Sequence, residues 1–523
     1  MKKRFITLSM ALSFGVMNFF YAQDNSEILN WYNGKGPGMN TEKAYKTLKK
    51  RKSSTVIVAV IDSGIDIEHK DLQGKIWTNT DEIPNNGIDD DNNGYIDDIH
   101  GWNFLGSPGQ NQNHARLEKT RIYADLRGRF EGKAESDIAE ADKADFQLYK
   151  KLDSEINGDV EKYKAYLQNI EQFKMMLPMI KASLEQKLGK DFTVEDAKKM
   201  KATNEQEEEM KNLAIQIASG ELSVEALEEG VQQLTSMVEY HLNPDYNDRQ
   251  FIGDDPHDFN DVKYGNNDVE GPDALHGTHV GGIIGAVRGN GLGGDGVAEN
   301  VLLMSVRAVP DGDEQDKDIA LAIRYAVDNG ASVINMSFGK AYSMHQKEVY
   351  EALMYADSKG VLLIHAAGND NENVDVNDNF PTSSYTFQTK KLDHYLTIGA
   401  STRNAKKLAA DFSNYGKTKV DVFAPGYEIY NTVPQSDYKK LQGTSMAAPM
   451  VAGVAAMLKS YFPTLTMAQI KDIILKSAKS YATTKTPKPG SEEMVNFGDL
   501  SVTGAVVDVA AAVKMCMALE KKK

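Results

Sequence analysis

The 523-residue sequence predicts an α/β protein: a doubly wound, mostly parallel sheet interrupted by a helical insertion. Three observations carry that expectation. Apolar, largely β-branched runs recur without the alternation of a half-solvated strand, so they read as strands buried on both faces. Segments with apolar residues at helical spacing separate the later runs, as a parallel sheet requires. A long charged stretch without such runs lies between the first strand and the next.

The elements follow in order. Lys2, Lys3 and Arg4 precede a largely apolar segment, Phe5 to Ala22, which reads as a secretion signal in residues 1–22. A retained membrane anchor is the other reading, because the segment is nearly long enough to span. Phe20 is bulky for the −3 position of a cut after Ala22. Cleavage there would remove three positive charges and no negative ones, taking the net charge from −16 to −19. The mature product is expected to be exported, to a periplasm or outside the cell, with no stable membrane association. Residues 23–110 then form the first part of the main domain. Val56-Ile57-Val58-Ala59-Val60-Ile61 is its first strand and delivers Asp62-Ser63-Gly64-Ile65-Asp66 at its C-terminal end, where open α/β sheets place their sites.

Residues 111–250 are expected to form the insertion. From about Leu117 to Tyr246 the chain reads as charged helices. Leu222, Val224, Leu227, Val231, Leu234, Val238 and Leu242 approximate one apolar stripe, and Thr193 with Asp196 marks a capped start. A surface bundle with a thin core and a substrate-selecting lid both fit this pattern.

Residues 251–523 resume the main domain. His276-Gly277-Thr278-His279-Val280-Gly281-Gly282 opens a small-residue helix. The strand Leu302–Val306, the helix Ile319–Asp328 and the strand Ser332–Met336 come next. A helix over 348–359, the strand Val361–Ile364, and strands at Tyr395–Ala400 and Val420–Phe423 complete the sheet. Gly443-Thr444-Ser445-Met446-Ala447-Ala448-Pro449 precedes a helix expected over Val451–Ser460, with Pro449 confined to its first turn. A last helix is expected over Val507–Leu519.

Composition narrows the function. With 41% hydrophobic residues the chain can bury a large core and an additional domain. Lys and Arg total 59 against 75 Asp and Glu, a net charge of −16 that argues against nucleic-acid binding. The single cysteine, Cys516, excludes an intrachain disulfide and lies far along the chain from the motifs above.

Three segments carry the chemistry. A serine hydroxyl attacks a carbonyl only when a base is held against it and the developing oxyanion is stabilised. Asp62, His276 and Ser445 supply an acid, a base and a nucleophile in that order along the chain. These segments, with their flanking residues from about Val56 to Val513, resemble the subtilisin-like serine proteases. That resemblance implies a secreted endopeptidase acting on polypeptides through an acyl-enzyme. Ser445 would attack, His276 would move the proton, and Asp62 would orient the imidazole. It also implies that Asn369, in Ala366-Ala367-Gly368-Asn369, donates to the oxyanion. Ser337, Phe338 and Gly339 would pair with extended substrate, with Ala366 and Gly368 walling an open specificity pocket. Two other readings remain: an exopeptidase whose insertion narrows the cleft, or a catalytically silent binding protein on the same fold. His279 reads as a packed helix histidine, since no His-Glu-x-x-His zinc pattern is present.

The sequence departs from that family twice. Asp62 and His276 lie 214 positions apart, and roughly thirty residues between Ala22 and Val56 are too few for a folding prodomain. Finally, Asp89-Asp90-Asp91-Asn92-Asn93-Gly94-Tyr95-Ile96-Asp97-Asp98 approximates the start of a calcium loop. Asp89, Asp91, Asn93, Asp97 and the Tyr95 carbonyl are the expected ligands of a structural calcium ion, although position twelve is His100. A solvated acidic turn is the alternative. A second acidic group, Asp254, Asp255, Asp258 and Asp261, lacks regular spacing.

Overall fold

A computed structural model describes residues 29–521; the expected signal segment and its cut after Ala22 lie outside them. Two compact units are present among these residues: Lys119–Tyr246, and the remainder on both sides of it.

The larger unit is built on nine strands, of which the following define its frame: β1 (Val56–Asp62), β2 (Gly101–Asn103), β3 (Val301–Arg307), β4 (Val333–Met336), β5 (Leu362–Ala366), β6 (Tyr395–Ser401) and β7 (Val422–Pro425). Their spatial order is β7-β6-β5-β4-β1-β3-β2, all neighbours parallel, and two short strands, 479–480 and 505–506, extend the β7 edge. The continuous apolar runs are explained by this arrangement, because helices cover both faces. On one face Ala59, Ile61, Met304 and Val306 pack with Ile323 and Ala326 of helix α2 and Val349 and Leu353 of helix α3. These helices span Asp316–Asp328 and Gln346–Ser358, after helix α1 (Leu275–Gly285). Helix α4 (Thr444–Tyr461) runs against α1 and strands β4 to β7 on the other.

The chain leaves β3 on one side of β1 and returns as β4 on the other, so its winding reverses around β1. A crevice opens at the C-terminal ends of strands where such a reversal occurs. Asp62, Arg307, Ser337 and Ala366 all stand at that rim.

Helix α4 starts at Thr444 rather than at Val451, so Pro449 lies inside it and not in its first turn. Proline has no N–H to offer the carbonyl four residues back. That carbonyl belongs to Ser445, and the hydroxyl of Ser337 donates to it at 2.8 Å. The bond missing from the helix is thus replaced by one from the end of β4.

The helical unit is narrower than the 111–250 segment expected from sequence. Residues 111–118 and 247–250 belong to the larger unit, where Arg116 meets Asp248 at 3.0 Å. Within Lys119–Tyr246 a helix of 46 residues, Lys143–Leu188, is accompanied by shorter helices including Glu205–Ser219 and Val224–Ser236. Its apolar contacts form small separate groups: Leu126, Phe130, Ile138 and Phe146; Leu177, Leu222 and Leu227; Leu184, Ala197 and Ala214. Thr193 and Asp196 close the capping box that their spacing suggests.

Candidate active site

Asp62 ends β1 with its side chain almost fully buried, and His276 occupies the first turn of α1. Their approach depends on glycine. A Cβ on Gly277 would lie 2.1 Å from the Gly64 carbonyl oxygen, so only a bare backbone lets α1 settle onto the end of β1. Gly64 itself has φ +116 and passes as close to the Glu270 carbonyl.

His276 Nδ1 lies 2.6 Å from Asp62 Oδ1, which also accepts from the Ser63 N–H at 2.8 Å. Nδ1 therefore carries the proton and Nε2 is left as the basic nitrogen. Burial works to lower the pKa of His276. The Asp62 charge and hydrogen bond outweigh it, with help from Asp273, so the pKa is raised above 6.5. The ring remains 36% exposed, open to a proton donor from solvent or substrate.

Ser445 sits at the start of α4. Its hydroxyl donates to the Ser337 carbonyl at 3.0 Å rather than to His276. With Ser337 donating back to the Ser445 carbonyl, and the Asn335 amide donating to Ser337 Oγ at 2.9 Å, the two serines are held by a reciprocal pair. For Ser445 to act as the expected nucleophile, its hydroxyl would have to leave the Ser337 carbonyl and turn toward His276; catalytic hydrogen bonds often tighten only with substrate.

Asn369 follows β5 and is exposed. Its Oδ1 accepts from the Thr444 N–H at 2.8 Å and from the Thr444 hydroxyl at 3.0 Å. With the oxygen engaged twice, its NH₂ is free to donate beside Gly443 and Ser445. Thr444, which the sequence did not single out, thus orients the amide, and its hydroxyl also accepts from the Gly368 N–H at 3.1 Å.

The structure gathers the expected substrate residues around the same rim. Ser337 and Phe338 are buried and Gly339 is exposed, and Ala366 ends the adjacent strand β5, with Gly368 just after it. Asn379 stands in the space between. Its amide donates to the Ala366 carbonyl at 3.2 Å, and a Cβ on Gly339 would fall 2.5 Å from its Oδ1. An amide that no sequence pattern pointed to thus stands between Gly339 and Gly368.

His279 is a packed helix histidine: its Nε2 lies 3.0 and 3.1 Å from the carbonyls of Ile429 and Lys439. Burial pushes its pKa down to about 3, so it stays neutral.

The acidic loop groups its carboxylates differently from the regular alternation. Glu82, Asp91 and Asp98 bring oxygens within 4.8 Å of one another. Asp97, in a left-handed conformation at φ 54, points back to accept from the N–H groups of Asn86 and Gly87. Asp89 accepts from the N–H groups of Asn93 and Gly94, and Asn93 Oδ1 accepts from the Tyr95 N–H. Asp91 is thus the residue that the expected set shares with the three-carboxylate group. All-oxygen donors at this spacing suit a hard cation. Burial pushes the Asp98 carboxyl up to about 6, a cost that a bound cation would relieve.

The subtilase family profile matches residues 53–498. The chain belongs to the subtilase family. It is 38% identical over 221 residues to the Thermophilic serine proteinase of Bacillus sp. (strain AK1), covering 42% of this chain and 49% of that protein. Over 204 residues it is 36% identical to Subtilisin DY of Bacillus licheniformis, covering 39% of this chain and 70% of the relative. The chain thus spans about half the length of the first of these curated relatives. Among solved structures, proteases from Pseudoalteromonas arctica PAMC 21717 align with 29% identity and a TM-score of 0.39, over 49% of this chain and 80% of theirs. The nine-stranded sheet with helices on both faces is the subtilase α/β fold. No helix among the described residues is long and apolar enough to cross a membrane.

Proposed function

We propose that this subtilase is an exported serine endopeptidase that hydrolyses peptide bonds through Asp62, His276 and Ser445. The observation that carries the reading is the 2.6 Å contact between His276 Nδ1 and a buried Asp62, at one rim with Ser445 and the Asn369 amide. Ser445 Oγ attacks the scissile carbonyl carbon while His276 Nε2 takes its proton. Asp62 stabilises the imidazolium that results. The oxyanion is met by the Asn369 NH₂, and collapse expels the leaving amine, which receives the proton from His276. Water then repeats the sequence on the acyl-enzyme to release the acid. Ser337–Gly339 pairs with the substrate backbone, so recognition rests on main-chain hydrogen bonds and tolerates varied sequences. Periplasmic or extracellular delivery by the 1–22 segment fits a net-acidic chain with a single cysteine. A structural calcium ion is held in the 82–98 region, with Asp91 as the residue common to both donor sets.

The test is digestion of an unfolded protein, with the cut sites mapped by mass spectrometry. Internal cuts that vanish in Ser445→Ala support the endopeptidase. Trimming from one end alone would make it an exopeptidase. Absence of cutting by the mature protein would make it a silent binding protein. Ser445→Ala should lose about 10⁶ in turnover, since a triad acts as a unit.

A further inference from the structure

Within the larger unit, the chain leading into the insertion and the segment expected to pair with substrate meet in one buried ionic cluster. Lys340 directly follows Gly339, and its ammonium is 2% exposed. It lies 2.8 Å from Asp316 Oδ1, donates to the Glu314 carbonyl at 2.8 Å, and lies 3.4 Å from Glu118 Oε2. Its backbone is fixed as well, with N–H and C=O both paired to Phe380 at 3.1 and 2.8 Å. Glu118 is the first residue of the helix that leads out of this unit, and it too is 2% exposed. Its N–H donates to Asp313 at 2.7 Å, and its second oxygen accepts from the Met344 N–H at 2.9 Å.

The residues just before it are laid along the same stretch of chain. Ala115 N–H donates to the Asp311 carbonyl and Asp311 N–H to the Asn113 carbonyl, both at 2.8 Å. A Cβ on Gly312 would fall 2.1 Å from the Ala115 carbonyl oxygen, so the two strands of chain touch. The returning root is tied to α2 beside it: Arg249 donates to Asp318 at 2.7 Å, while Asp248 holds Arg116. Burial pushes the Glu314 carboxyl up, whereas at Asp316 burial is outweighed by the Lys340 charge and hydrogen bond, which hold that carboxyl below the usual range.

We propose that Lys340 positions the substrate-pairing segment Ser337–Gly339 by tying it, through Glu118, to the root of the inserted chain. Resting on the protease reading above, this makes the root a determinant of extended-substrate binding and not of the chemical step. Removing the Glu118 charge unbalances the buried cluster but leaves Lys340 its closer partner Asp316 at 2.8 Å, so the ammonium shifts toward Asp316 and draws the adjoining Gly339 with it. Gly339 is the exposed backbone next to that anchor, and its placement sets the hydrogen bonds to a peptide.

Glu118→Gln keeps the acceptor for Met344 and removes the charge facing Lys340. Two substrates are compared: a long peptide anilide that spans Ser337–Gly339, and a single-residue ester that does not. The expected result is a rise in KM for the peptide of about threefold or more, the worth of one weakened backbone hydrogen bond. The kcat for both substrates, and KM for the ester, should stay near wild type. Glu118→Asp, which keeps the charge with a shorter reach, should recover part of the loss. Equal changes with both substrates, or no change with either, would overturn the proposal. If Glu118→Gln does not fold, Glu118→Asp carries the same comparison. A wild-type protein inert toward both substrates would count against the protease reading instead. Binding of the uncleaved peptide to Ser445→Ala, with and without Glu118→Gln, then tests the positioning role separately, an unchanged affinity overturning it.

Discussion

If Asn369 serves the oxyanion as proposed, replacing it with alanine removes that side-chain donor while leaving Asp62, His276 and Ser445 in place. Thr444 holds the amide oxygen by two hydrogen bonds, at 2.8 and 3.0 Å, so the NH₂ is oriented before substrate arrives. Donors fixed in advance act on charge that develops only in the transition state. Losing one costs about 10²–10³ in kcat, roughly 2.7–4 kcal/mol, with little change in KM. Thr444→Val keeps the backbone bond and loses the hydroxyl, so a looser amide should cost about 0.5–1.5 kcal/mol, roughly a two- to twelvefold fall. Thr444→Ser should restore the wild-type rate. Asn369→Asp retains the acceptor for Thr444 but faces the oxyanion with negative charge, so it should be at least as slow as Asn369→Ala. The assay is steady-state hydrolysis of a peptide anilide, with melting temperature as the control for folding. A well-folded Asn369→Ala within about threefold of wild-type kcat would refute the oxyanion role.

Three further outcomes are expected. His276 must be neutral to act as base, and its pKa is raised, so it keeps its proton to higher pH than an ordinary histidine. The acid limb of kcat/KM should therefore have its midpoint above 6.5, and Asp273→Asn should move it down; a midpoint below 6.5 would contradict the electrostatics. Chelation at pH 7.5 should lower the melting temperature by removing a ligand of the folded state, and Asp91→Ala should abolish that sensitivity. In chelated protein Asp98 has a folded pKa of about 6 against an ordinary 3.8. The folded state then binds the extra proton between these values, and this group's contribution to stability grows as pH falls through 6; a chelator-insensitive melting curve would remove calcium from the loop. Joining Glu118 to Asn247 by a short flexible linker should leave the larger unit folded, because Arg116 already bridges to Asp248 at the two roots. Such a variant should still cleave a short anilide while its preference among large proteins changes, and loss of short-peptide cleavage in a folded variant would make the insertion part of the catalytic scaffold.

What could be read from the chain follows from how far each signal reaches along it. Val56–Ile61 advertises a strand covered on both faces because every residue in it is apolar, and Asp62 inherits its place from that strand. The small residues around His276 and Ser445 likewise mark tight packing, and Gly277 against Gly64 shows what they are for. Spacing failed where the deciding partner lies elsewhere in sequence. The alternation from Asp89 to Asp97 suggested one ring of ligands, yet Asp97 turns to cap Asn86 and Gly87, while Glu82, outside the repeat, joins Asp91 and Asp98. Pro449 was legible as a helix breaker, but its consequence depends on Ser337, 108 positions before Ser445, donating to the Ser445 carbonyl that the proline frees. Lys340 and Glu118 are the extreme case. In the sequence each is an ordinary charge, indistinguishable from the solvated ones that dominate the insertion; in the fold both are buried 3.4 Å apart. A charge that must find its partner across the chain leaves no periodicity to detect. It is therefore at such pairs that the chain leading into an insertion can be tied to the segment beside Gly339 without altering Asp62, His276 or Ser445.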